Sequence, residues 1–67
     1  MMQLIVNGDV RDVEGTPTVG AFLASRNLNA KMVVVEQNGE IVPRGQYDET
    51  TLTNGDVLEI VQMMAGG

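Results

Sequence analysis

Cysteine and histidine are both absent from these 67 residues. Without cysteine there is no disulfide framework, no thiolate metal site and no thiol nucleophile. Without histidine the usual general base near neutral pH is missing as well. Catalysis by this chain alone is therefore poorly supported. Cations are scarce: Arg11, Arg26, Lys31 and Arg44 stand scattered against nine acidic residues, for a formal net charge of −5. Nucleic acid, whose phosphates need Lys and Arg, is not an expected partner. The acidic balance suits a basic docking surface on another protein, and it suits simple solubility equally well. The dispersed carboxylates, lacking His or Cys beside them, do not read as a metal site. No apolar run approaches the ~20 residues of a membrane span, and no basic-then-apolar leader opens the sequence. The expectation is no membrane association and a cytoplasmic location.

What is present fits one small domain, of a size that buries only about 60% of its unfolded surface. The first apolar run, Gln3-Leu4-Ile5-Val6, leads into Asn7-Gly8. That pair tolerates the positive φ angles of a tight hairpin, so residues 10–13 should return antiparallel. Thr18 is the expected N-cap of a helix with Val19, Phe22 and Leu23 at i, i+3 and i+4, and with Arg26 near its end, where the dipole favours a cation. Gly20 weakens this helix by about 1 kcal/mol relative to Ala, so packing must hold it. It should end near Asn27, with Leu28 turning back to the core. Residues 32–37 have strong strand character. Asn38-Gly39 marks a second hairpin whose return strand stops at Pro43, which lacks a ladder donor. Residues 45–53 read as an irregular connection holding Tyr47 and Leu52, and Asn54-Gly55 turns the chain into a last strand over 56–63.

The expected fold is thus α+β, a mixed sheet of about five strands with one main helix on one face. Alternation sorts the strands into two faces. Leu4, Val6, Val33, Val35, Leu58 and Ile60 meet Phe22 and Leu23 as the core. Ile5, Val34, Glu59 and Val61 fall on the opposite face, with Met32 and Met63 at its margins. A contiguous exposed apolar patch marks a protein-binding surface, so Ile5, Val34, Val61 and Met63 are the candidate partner-docking residues. Cover by loops is the competing reading. The domain is assigned to residues 1–63 and a flexible, extended tail to residues 64–67, Met64-Ala65-Gly66-Gly67. Two glycines leave the backbone bare beside a terminal carboxylate, so a narrow channel in a partner would admit it. A frayed terminus is the plainer alternative.

The segment Val33-Val34-Val35-Glu36-Gln37-Asn38-Gly39-Glu40-Ile41-Val42-Pro43-Arg44 resembles the V-x-V-E-x-N-G-E-I-V-P-R stretch of the ThiS family, the sulfur carriers of thiamine biosynthesis with a ubiquitin-like β-grasp fold. Asn7-Gly8, Thr18-Val19 with Phe22-Leu23, Asn54-Gly55-Asp56-Val57-Leu58-Glu59-Ile60-Val61 and the closing Gly66-Gly67 match in order. Pro17 departs from the pattern at the helix entry. The resemblance implies a carrier rather than an enzyme, with no cofactor of its own. A ThiF-like adenylyltransferase would use ATP to convert the Gly67 carboxylate into an acyl-adenylate. Sulfur relayed from a cysteine desulfurase would then give a thiocarboxylate, which a ThiG-like thiazole synthase would consume. Gly66, Ala65 and Met64 would line up behind Gly67 in the partner's channel. The small subunit of molybdopterin synthase is the nearest rival, and a β-grasp interaction module without tail chemistry is a rival of another class. Arg44 is assigned to a solvated strand end.

Overall fold

Residues 1–63 are described in a computed structural model of the chain; residues 64–67, which carry the expected tail and its carboxylate, lie outside the described residues. Strand β1 (Met2–Val6) pairs antiparallel with β2 (Asp9–Val13), Met2 facing Val13 and Val6 facing Asp9. The turn between them places Asn7 at φ 49° and Gly8 at φ 87°, the two positive values that match a two-residue turn to the twist of its strands. The same chemistry recurs at Asn38 (φ 53°) and Gly39 (φ 86°), which join β3 (Val33–Gln37) to the short β4 (Glu40–Ile41). Strand β5 (Val57–Gln62) enters between the hairpins, parallel to β1 and antiparallel to β3, for a sheet order β2-β1-β5-β3-β4. The five-stranded mixed sheet with one helix on one face agrees with the sequence reading.

Helix α1 (Val19–Ser25) covers that face. The Thr18 hydroxyl accepts the Ala21 amide at 3.1 Å, as an N-cap should. At the other end Asn27 turns left-handed at φ 59° and the Leu28 amide returns to the Leu23 carbonyl at 2.9 Å, ending the helix and sending Leu28 inward. Gly20 sits where an added Cβ would collide with the Asp48 carboxylate. The helix thus gives up some propensity so that the 42–56 connection can lie against its first turn.

Leu4, Val6, Phe22, Leu23, Val33, Val35 and Leu58 are buried as expected, whereas Ile60 is only partly buried at the core's edge. Met2, Val19, Val42, Tyr47 and Leu52 complete the core. Met32 belongs to a 3-10 turn (Ala30–Met32) rather than to β3, so it does not flank the opposite face as a strand residue. Arg44 is exposed as expected, but it belongs to a 3-10 turn rather than to a strand end. Its Nε donates to the Ala30 carbonyl at 3.2 Å and its guanidinium to the Val33 carbonyl at 3.1 Å, where the buried Tyr47 hydroxyl also donates. The segment after Pro43 folds into a 3-10 turn (Arg44–Gln46) that aims this side chain back at the start of β3. No helix of the described residues is long and apolar enough to cross a membrane.

Candidate functional site

Two features of the fold bear on function: the uncovered face of the sheet and the way β5 carries the chain toward residue 64. Strand alternation puts Ile5, Val10, Val34, Glu36, Ile41, Val57, Glu59 and Val61 on the uncovered face, through the pairs Ile5–Val10, Ile5–Val57, Val34–Val61, Glu36–Glu59 and Glu36–Ile41. Ile5 and Val34 are half-buried by their neighbours, while Val61 is 62% exposed and Met63 42%. The four residues singled out from the sequence therefore share this side of the molecule or its rim, and no loop of the described residues covers Val61. Sequence reasoning missed Ile41, Val10 and Val57, which are 66%, 63% and 41% exposed. The alternation that found Val61 held the signal for Val57 four residues earlier. Val10 and Ile41 needed the hairpin register.

Strand β5 is braced by turn asparagines, at its start by Asn38 and farther along by Asn7. Asn38 Oδ1 accepts the Val57 amide at 2.9 Å, and the Asn38 amide donates to the Val57 carbonyl at 2.8 Å. On the other side Asn7 Oδ1 accepts the Ile60 amide at 2.7 Å and Asn7 Nδ2 donates to the Ile60 carbonyl at 3.1 Å. Strand β1 has ended by then, so the Asn7 side chain supplies the ladder bonds that a longer β1 would have made. Beyond Ile60, β3 alone continues the pairing, and the Met63 amide reaches the Met32 carbonyl at 2.7 Å. Sequence reasoning assigned these asparagines to turn chemistry; their side chains also hold β5.

Asp56, at the start of this strand, is the one buried charged residue among those described, at 8% exposure. Burial pushes its pKa up, but hydrogen bonds from Asn38 Nδ2 (3.0 Å), the Thr53 amide (2.9 Å) and Gln37 Nε2 (2.8 Å) outweigh that and hold it below the ordinary 3.8. The carboxylate ties the second hairpin to the connection preceding β5. Its role is structural. No group of three or more candidate metal ligands occurs among the described residues. Gly67, Gly66, Ala65 and Met64 lie outside them.

The sequence profile of the ThiS family matches residues 4–67. The sulfur carrier protein ThiS of Bacillus subtilis is 44% identical over 68 residues, covering all of both chains. The crystal structure of the thiamine biosynthesis protein ThiS from Geobacter metallireducens superposes with a TM-score of 0.84 at 38% identity, over 98% of this chain and 100% of that one. A thiazole synthase of Paramagnetospirillum magneticum is 39% identical over 66 residues; this chain spans only 20% of that protein's length.

Proposed function

The chain belongs to the ThiS family, and we propose from that premise that it is a sulfur carrier for thiazole formation whose reactive group is the Gly67 carboxylate. The observation that carries this reading is the full-length match to a sulfur carrier of equal extent, with a family profile that runs through Gly66-Gly67. An ionised carboxylate is a poor acyl electrophile. Attack of its oxygen on the α-phosphate of ATP releases pyrophosphate and leaves a mixed anhydride. The terminal sulfur of a persulfide expels AMP to give an acyl disulfide. A second thiol attacks that S–S bond, leaving with the persulfide's inner sulfur as a disulfide and releasing the thiocarboxylate. A ThiF-like adenylyltransferase supplies the ATP site and the charges that steady this transfer, and a cysteine desulfurase starts the sulfur relay. The chain binds no cofactor and catalyses nothing itself. A thiazole synthase takes the sulfur; relatives that bear that name and contain a segment similar to this chain support the pairing.

The division of labour follows from size. Residues 1–63 form the body, and residues 64–67, when extended, span about 13–14 Å, enough to enter a buried site from outside. Ile5, Val34, Val61 and Met63 dock the body on the adenylyltransferase. Ordering the last residues on binding limits affinity, which suits a carrier that must leave each partner. The cytoplasm, where ATP and reduced sulfur are at hand, is the assigned compartment.

Intact-mass measurement after incubation with ATP, a sulfur source and the cognate adenylyltransferase should show a gain equal to one oxygen exchanged for sulfur, located on Gly67. An unchanged mass overturns the carrier reading. Gly66→Val should fold normally yet slow the exchange by at least about tenfold, because its branched side chain obstructs a channel fitted to glycine.

A further inference from the structure

Glu36 and Glu59 stand directly opposite one another on β3 and β5. Like charges across a strand pair are destabilising, and the opposed Cβ atoms of such a pair are only about 4.5–5.5 Å apart. This pair sits within an apolar field. Val34 and Val61 form the next pair along the same face, Val57 precedes Glu59 by two residues, and Ile41 is opposite Glu36 on the outer side. No cation of the described residues neutralises either carboxylate; the one ion pair there joins Arg11 to Asp9. Glu36 is half-buried by its neighbours and Glu59 is exposed, so both keep an open side toward solvent.

We propose that the uncovered face takes a basic partner surface in which one arginine or lysine side chain inserts between Glu36 and Glu59 while apolar residues of the partner cover Val34, Val61 and Ile41. The inference rests on the carrier reading, with the adenylyltransferase as the partner. Charge complementarity selects this occupant. A second copy of the chain laid face to face would bring four carboxylates together in an apolar interface, and the net charge of −5 repels it further. A neutral apolar partner would strand both carboxylates without counter-charge, at a heavy desolvation cost. A guanidinium offers parallel donors to two carboxylates at once, and its hydrogen bonds to them are charge-assisted. Repulsion in the free chain thus becomes attraction in the complex, and the same two residues exclude uncharged surfaces.

The test compares Glu36→Gln, Glu59→Gln and the double variant with the parent in two measurements. In urea unfolding the double variant should have a higher midpoint than the parent. In calorimetric titration against the intact adenylyltransferase its Kd should rise about tenfold or more, and the dependence of Kd on salt should weaken. Glu59→Asp, which keeps the charge, should retain most of the affinity. A purely structural pair would move stability and affinity in the same direction. An unchanged Kd and salt dependence overturns the inference, as does self-association of the double variant with partner affinity intact, which would make the pair a guard against aggregation. Failure of the parent to bind the adenylyltransferase at all also overturns it. The carrier reading is judged separately, by the oxygen-to-sulfur mass gain on Gly67 at saturating enzyme.

Discussion

The two faces of this sheet are built from alternate residues of the same strands, yet they obey different rules. On the helix side Leu4, Val33, Val35 and Leu58 have no exposed surface, and α1 packs over them. On the other side Val34 and Val57, their immediate neighbours in sequence, and Val61 farther along β5 remain at least partly open to solvent and surround two opposed glutamates. β-Branched residues on the helix side are explained by burial; on the other side they are not, because an isolated domain gains little from them there. The difference teaches that strand propensity alone does not identify a core. What separates the faces is whether a complementary layer exists within the chain.

The sharpest way to break the comparison is to truncate one residue on each side. Leu23→Ala, removing a fully buried side chain, should cost about 2–5 kcal/mol in denaturant unfolding. Val61→Ala on the open side should stay within about 0.5 kcal/mol while weakening capture by the adenylyltransferase. Equal stability losses would mean that the open face is packed in solution. Next in size is Asp56→Asn, which turns an acceptor of three hydrogen bonds into a side chain that also presents donors to donors. A loss of about 1.5–3 kcal/mol is expected. Because the folded pKa of Asp56 lies below its unfolded value, its contribution is fully present above pH 3.8 and is lost as pH falls through the folded pKa. Unfolding midpoints of parent and variant should therefore converge below that range, and curves that stay parallel would contradict the bonding described. The last effect, that of Gly20→Ala, is a small balance of opposing terms. Helix propensity favours it by about 1 kcal/mol, while the exposed Asp48 side chain must swing aside. Stability should change by less than about 1 kcal/mol in either direction, and a larger loss would show that the connection cannot yield.

Much of this architecture was legible because local signals agreed. Asn-Gly pairs gave both hairpins, Thr18 gave the helix start, and period-two alternation sorted most core residues. The remainder depended on contacts distant in sequence. Arg44 was read as a solvated end because nothing adjacent reveals that a 3-10 turn aims it at residues 30 and 33. Tyr47 and Leu52 lie in a connection without periodicity, so their burial was not readable from spacing. Met32 continues an apolar run, which hid the 3-10 turn that Asn29 starts by accepting the Lys31 amide. Glu36 and Glu59 looked dispersed, since only the register of β3 against β5 makes them neighbours. The uncovered face was legible from alternation, whereas the charge pattern on that face required the sheet.

The asparagine in the first hairpin has one more consequence. By gripping Ile60 from both its amide and its carbonyl, Asn7 gives the last strand a fixed fulcrum just where its first neighbour has run out. A side chain of the first turn thereby fixes the strand at a point 53 residues later in the chain.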